Sequence, residues 1–203
     1  MNVCVVDYGM GNIGSILNMV KKVGGSVFSS CDADSISRQD KLILPGVGAF
    51  DSGMGALKSS SIGDALRHAI FTNGSSLMGI CLGMQLLLHS SEEGRMPGLS
   101  FVEGVVKKFE FQSRDLRVPH MGWNDVRVLK KNPLLPLYDS EQRFYFVHSY
   151  HVALNDENIS IGSACYGYNF CAAFQKDNIF GVQFHPEKSH RFGMALMKRF
   201  LEL

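Results

Sequence analysis

The stretch that most restricts how this chain folds is Gly79-Ile80-Cys81-Leu82-Gly83-Met84-Gln85. Ahead of it, Ser75-Ser76-Leu77-Met78 ends in a short apolar run that reads as a buried strand. Behind it, Gln85-Leu86-Leu87-Leu88-His89 is made of good helix formers. A cysteine at a sharp strand-to-helix turn, with Gly79 and Gly83 two residues to either side, has the form of a nucleophile elbow, G-x-C-x-G in place of G-x-S-x-G. Such a turn strains the backbone at its nucleophile, and small neighbours let the chain approach itself. The electropositive amino end of the next helix favours a thiolate at Cys81. The N–H of Leu82 then becomes a candidate oxyanion donor. The competing reading is a buried structural cysteine between two packing glycines.

The chain before the elbow alternates strand and helix. Residues 2–7 read as a buried parallel strand, 15–23 as a helix ended by Gly24-Gly25, and 26–30 as a second strand. Between the first strand and its helix lies Gly9-Met10-Gly11-Asn12-Ile13-Gly14, which matches G-x-G-x-x-G. Asp32 and Asp34 stand about where a ribose-binding acid would, about 20 residues on. A dinucleotide site is therefore a real competitor. Residues 41–44 are a third strand, running into Pro45-Gly46-Val47-Gly48-Ala49-Phe50. That edge of an open α/β sheet is where ligands bind, and Gly46 and Gly48 allow backbone N–H groups to face an anion. Residues 61–71 form a helix with Ile62, Ala65, Leu66, Ala69 and Ile70 on one face.

After Gly94 and the Pro97-Gly98 break the chain turns to β-type segments, at 101–111, 124–129, 144–148, 160–166, 170–174 and 179–184. Pro133-Leu134-Leu135-Pro136 is a loop, and 189–203 is a closing helix with Phe192, Ala195, Leu196, Arg199 and Phe200 at helical spacing. The expected fold is one α/β domain over 1–203, with a mostly parallel, mixed sheet, flanking helices and an added antiparallel β region.

Composition serves here to exclude. With 45% hydrophobic residues among 203, the chain can bury one full core. A net charge of +1 gives no reason to expect nucleic acid or another polyanion. No apolar run reaches the length of a membrane span. The opening Met1-Asn2-Val3-Cys4-Val5-Val6-Asp7 enters a strand without a basic region, so no signal peptide is expected. Five scattered cysteines without CxxC argue against a disulfide framework or zinc site and fit a reducing, cytoplasmic setting.

A nucleophilic thiol needs a base, and the base needs an orienting group. His185-Pro186-Glu187 follows the strand at 179–184. Side chains two apart in extended backbone point the same way, so His185 and Glu187 are expected to meet, with Pro186 stiffening the link. Glu187 would fix the imidazole tautomer and favour the imidazolium. His148, His151 and His120 offer a metal alternative, but no carboxylate or thiol cluster accompanies them. His68 and His89 read as surface or packed residues. Cys4, Cys31, Cys165 and Cys171 read as buried small hydrophobes.

The elbow together with Gln183-Phe184-His185-Pro186-Glu187-Lys188-Ser189 resembles the class I (triad) glutamine amidotransferases. Four further stretches, Asp7-Tyr8-Gly9-Met10-Gly11-Asn12, Pro45 to Phe50, Pro119-His120-Met121-Gly122-Trp123-Asn124 and Tyr145-Phe146-Val147-His148-Ser149-Tyr150, narrow the resemblance to the glutaminase subunits of imidazole glycerol phosphate synthases. The likeness covers essentially the whole chain. It implies that Cys81 attacks the side-chain amide of L-glutamine, that His185 carries the proton to the leaving ammonia, and that Glu187 orients it. The oxyanion would sit between the N–H of Leu82 and one from Gly46-Val47. Gly48, Gln85, Glu93, His148, Ser149 and Tyr150 match positions that hold glutamine. Asn12, Trp123, Tyr145 and Lys188 match positions facing a (β/α)₈ cyclase subunit, the heterodimer partner that receives the ammonia. In the family the turn at Gly46-Val47 rearranges when the partner is loaded, and the Gly9 to Gly14 loop faces that partner and binds no dinucleotide. No cofactor, metal, nucleic acid or membrane is implied. The sequence His190-Arg191-Phe192-Gly193-Met194 departs from the small residues of histidine-pathway members. It leaves open a paralogue supplying nitrogen for sugar amidination in surface-polysaccharide synthesis. A catalytically dead scaffold is argued against by the intact Cys81, His185 and Glu187.

Overall fold

The computed structural model describes residues 2–111, 116–137 and 142–203. The first half folds as its alternation dictates. Strands β1 (Asn2–Val6), β2 (Ser26–Ser30), β3 (Lys41–Leu44) and β4 (Ser76–Ile80) are interleaved with α1 (Ile13–Lys22), α2 (Ala33–Ser37), α3 (Phe50–Ser59), α4 (Ile62–Phe71) and α5 (Leu82–Leu86). Helices α2 and α3 are additions to the sequence reading. Helix α5 is shorter than the run of helix formers suggests. The carbonyls of Leu86, Leu87 and Leu88 accept instead from the N–H groups of Leu99, Phe101 and Ser100, so the chain leaves the helix to bury all three leucines.

The second half contains β5 (Ser90–Ser91), β6 (Gly104–Lys108), β7 (His120–Val128), β8 (Gln142–His148), β9 (Tyr150–Leu154), β10 (Ser160–Tyr166), β11 (Tyr168–Lys176), β12 (Ile179–Val182) and α6 (His190–Glu202). The segment at 101–111 shrinks to β6, and the one at 124–129 extends back to His120. Strand β9 was not anticipated. Nine strands form one sheet in the order β2-β1-β3-β4-β12-β11-β10-β7-β8, and β5-β6-β9 form a small second sheet. Neighbours from β2 to β12 run parallel, and from β12 to β8 antiparallel.

Period-two alternation divides each central strand between two cores. In β1, Cys4 and Val6 face one side and Val3 and Val5 the other. Helices α3 and α4 cover the first side with Phe50, Leu57, Ile62 and Leu66, all fully buried. Helices α1 and α6 cover the second with Ile16, Val20, Met197 and Phe200. Each such side chain contributes roughly 1.5–3 kcal/mol by leaving water. Two expectations fail at the surface. Ala195 of α6 is exposed while Met197 is buried. Cys31 and Cys165 are also exposed, because both lie just beyond or at the open end of a strand, whereas Cys4 is buried and Cys171 partly so.

Candidate active site

Cys81 sits between β4 and α5 at φ 54°, ψ −110°, a conformation costing a non-glycine residue on the order of 1–3 kcal/mol. The strand holds it there: its N–H donates to the Val182 carbonyl at 2.8 Å, and its own carbonyl accepts from Gln85 N–H at 3.2 Å. The glycines have the steric role the pattern suggests. A Cβ on Gly83 would stand 1.9 Å from the Leu44 carbonyl oxygen, and one on Gly79 2.7 Å from that of Gly83. The end of β3 thus lies directly on the start of α5.

His185 and Glu187 meet, Nδ1 to Oε1 at 2.7 Å, with both side chains about 2% exposed. The geometry differs from the expected extended link. Strand β12 ends at Val182, and Pro186–Lys188 is a single 3₁₀ turn that Pro186 opens. The turn folds the carboxylate back under the ring. Burial alone would push the His185 imidazole down; the neighbouring Cys81 thiol and the Glu187 carboxylate outweigh it and raise it to about 9. Glu187 can only accept at Nδ1, so the proton on that nitrogen is fixed. Among the described residues, Nε2 of His185 and Oε2 of Glu187 are buried without a hydrogen-bond partner. Nε2 is therefore free for a reacting group.

Cys81 and His185 open into a pocket of about 420 Å³. One side of it is the turn after β3, with Val47 and Gly48, beside Leu82 of α5; the other is the wall Val147, His148, Ser149 and Tyr150. Gln85, Glu93 and Pro119 complete the lining. Gly48 has φ +110°, which a side chain would strain. Gly46 lies behind the turn, where a Cβ would come within 2.8 Å of Leu82 Cβ. Glu93 accepts from Phe50 N–H at 2.9 Å, and Asp51 accepts from Arg95 and Met96 N–H at 2.9 Å, so the start of α3 and the loop carrying Glu93 hold each other.

The wall is set by a chain of hydrogen bonds with one polarity. His148 Nδ1 is 2.8 Å from the Tyr150 carbonyl, which only accepts, so that nitrogen donates. His148 Nε2 must then accept from His120 Nδ1, at 2.9 Å. His120 Nε2 in turn accepts from Asn124 Nδ2 at 3.2 Å, which also donates to the Cys165 carbonyl. The register pairing His120 with His148 across β7 and β8 brings the two rings together. Burial lowers His120 to about 4 and His148 to about 3, so both rings are neutral at pH 7. Both ring nitrogens of His148 are occupied, so its ring shapes the wall, and the carbonyls of Ser149 and Tyr150 are held as well, by Phe109 N–H and by His148 Nδ1 with Gln85 Nε2. Among the described residues no group of three or more His, Cys, Asp or Glu is arranged to hold a metal ion.

Gln85 and Gln183 join the wall to the elbow. Gln85 Nε2 donates to the Tyr150 carbonyl and to Gln183 Oε1, each at 3.0 Å, and Gln183 Nε2 lies 3.7 Å from Cys81 Sγ. Gln183, Pro119 and Val147 each stand in a motif that the sequence displays, but the motifs by themselves give them no place at the site.

Asn12 is exposed and caps α1 through its side-chain oxygen, 3.4 Å from Ser15 N–H. The glycine-rich loop before it packs on the turn after β3: a Cβ on Gly11 would meet Pro45 at 2.9 Å. Asp32 is occupied as the cap of α2. Trp123, 41% exposed, packs edge-on to Tyr145 and lies flat on His190 at 5.4 Å, and Lys188 Nζ stands 5.7 Å over the Tyr145 ring. With Met121, 62% exposed, they make an apolar patch. It touches the site directly, because His185 N–H donates to the Tyr145 carbonyl at 2.9 Å. Ser15, whose N–H donates to Asn12, and Asn18 of α1 line one cavity with Lys188 and His190.

A family model described as glutamine amidotransferase class-I matches residues 4–203. An imidazole glycerol phosphate synthase subunit, HisH 2 of Methanococcus maripaludis, is 48% identical over 98% of both chains. The subunit of the same name from Pseudomonas aeruginosa is 47% identical over 99% of both. Among solved structures, PurLQS from Thermotoga maritima superposes with a TM-score of 0.75 at 19% identity, covering 99% of this chain and 97% of that one, which shows the shared fold.

Proposed function

Because the chain belongs to the class-I glutamine amidotransferase family, we propose that its pocket hydrolyses L-glutamine to glutamate and ammonia, as the HisH-type glutaminase subunit of an imidazole glycerol phosphate synthase. Cys81 Sγ attacks the side-chain amide carbon, and the carbonyl electron pair moves onto oxygen. The N–H of Leu82 and one from Gly46-Val47 receive that charge. Losing one such donor typically costs ~10²–10³ in rate. His185, protonated at pH 7 because it is raised to about 9, gives its proton to the amide nitrogen. The C–N bond breaks and ammonia leaves a glutamyl thioester on Cys81. Water adds to the thioester, His185 takes its proton, and the C–S bond breaks to release glutamate. Glu187 holds the imidazolium in place throughout. Gly48, Gln85, Glu93 and the backbone of His148, Ser149 and Tyr150 hold the glutamine.

The single observation that carries this reading is the His185–Glu187 pair at 2.7 Å in the pocket that Cys81 enters from a strained elbow. The ammonia passes to a (β/α)₈ cyclase subunit docked on the face holding Asn12, Trp123, Tyr145 and Lys188. Exposed apolar surface next to the catalytic histidine fits a docking role. Nitrogen supply for sugar amidination was the alternative destination. The similar proteins carry the imidazole glycerol phosphate synthase name instead, and that destination is the one proposed. No helix among the described residues is long and apolar enough to cross a membrane, and a cytoplasmic location is part of the same reading.

The test is glutamine hydrolysis by Cys81→Ala with the cognate cyclase present. Ammonia release is expected to fall to background, while the variant still co-elutes with the cyclase. Retained hydrolysis would overturn the thioester mechanism, and failure of the wild-type pair to make imidazole glycerol phosphate would overturn the destination.

A further inference from the structure

Strand β12 runs parallel to β4 with Val182 beside Ile80, so the next residue along each strand, Gln183 and Cys81, stand side by side. Gln183 is fully buried, and a buried amide must place two donors and one acceptor. Its surroundings allow one orientation. The Tyr150 carbonyl only accepts, so the Gln85 atom 3.0 Å from it is the nitrogen. The same nitrogen lies 3.0 Å from the Gln183 amide, which must present its oxygen there. The Gln183 nitrogen is left facing Cys81 Sγ at 3.7 Å, an ordinary separation for N–H to sulfur. A flipped Gln183 would set two NH₂ groups against each other and aim a lone pair at the sulfur.

We infer that Gln183 is a further catalytic residue, whose side-chain N–H donates to the sulfur of Cys81 whenever that sulfur carries negative charge. The geometry stands by itself; the catalytic consequence rests on the glutaminase reading. Sulfur gains or gives up charge twice in that cycle. It gives an electron pair to the amide carbon when the C–S bond forms, and takes the pair back when the C–S bond of the thioester breaks. In the second step His185 has taken the water proton and, raised to about 9, keeps it, so the sulfur departs unprotonated. The sulfur holds the returning pair, and Gln183 donates a hydrogen bond to it without transferring a proton. A hydrogen bond to a charged acceptor is roughly twice as strong as one between neutral groups, so this donor acts mainly on the ionised sulfur.

The test uses Gln183→Met, which keeps length and burial and removes the donor. Iodoacetamide reacts with the thiolate, so its rate at fixed neutral pH reads how well the site supports that form. The Cys81 alkylation rate is expected to fall at least about tenfold, the usual weight of a hydrogen bond to a charged group. An unchanged rate in a folded variant would overturn the inference. A second readout needs no substitution: in the wild-type chain the Gln183 side-chain amide signals in ¹⁵N–¹H spectra should move with pH in step with Cys81 alkylation. Signals that stay fixed while alkylation rises would overturn it even where Gln183→Met does not fold. Neither readout uses glutamine, whereas the glutaminase reading fails separately, by absence of ammonia release from the wild-type pair.

Discussion

His185 and His148 line one pocket, are 1% and 5% exposed, and carry opposite proton loads. Burial disfavours the imidazolium at both. At His148 no carboxylate opposes burial: the ring bonds to the Tyr150 carbonyl and the neutral His120 imidazole, the nearby His185 charge pushes the same way as burial, and it sits near 3. At His185 the Glu187 carboxylate and the Cys81 thiol overturn burial, and it sits near 9. The sheet supplies both settings. The parallel half ends in sharp turns that converge on Cys81 and fold Glu187 under His185. The antiparallel half sets His120 beside His148 in register and keeps the wall neutral. In the proposed cycle one half moves protons, and the other stays neutral while they move.

The strongest way to break this contrast is to neutralise Glu187. Glu187→Gln keeps the shape and removes the charge, bringing His185 closer to the condition of His148. Glutamine turnover at pH 7 is expected to drop by ~10²–10⁴, by comparison with the loss when a triad acid becomes an amide. Steady-state kinetics with the cyclase bound would show it in kcat. A drop of only a few-fold would mean that another group holds the imidazolium.

A smaller effect separates the two sites through stability. His148 falls from 6.5 to about 3 on folding, so in acid the unfolded chain binds more protons. Its stabilising neutral state is intact above pH 6.5 and costs stability as pH falls from there toward 3. By pH 5 the loss from His148 is about 2 kcal/mol. His185 runs the other way. Raised to about 9, it contributes fully below 6.5 and loses its contribution as pH rises through 9. Urea unfolding of the wild-type chain should therefore show lower stability at pH 5 than at pH 6.5. His148→Phe should make that acid arm shallower, with His120, lowered to about 4, supplying what remains, and leave the alkaline one.

The parallel half was the more legible because each of its devices is local. The elbow is spelled by two glycines around one cysteine, and α4 by a five-residue apolar stripe. His185 and Glu187 were paired correctly for an incomplete reason, since a 3₁₀ turn and not extended backbone brings them together. Helix α3 escaped notice because Gly53 and Gly55 dilute its pattern; Gly53 packs instead on Leu86. The antiparallel half depends on register between distant strands. Nothing near His120 announces that it will bond to His148, and β9 begins straight after the Ser149 turn. Gln183 had a signal: a polar residue inside Gly181-Val182-Gln183-Phe184, two before His185 and so on its side of the strand. Only the parallel register with β4 sets it beside Cys81.

The contrast between the imidazoles is tested most directly by ¹⁵N NMR of the histidine rings in the wild-type chain across pH 5 to 10. The account predicts a doubly protonated His185 at pH 7, losing its proton near 9, while His148 stays neutral to pH 5 with its proton on Nδ1. A His185 ring already neutral at pH 7, or a His148 ring that takes up a proton near 6.5, would contradict it.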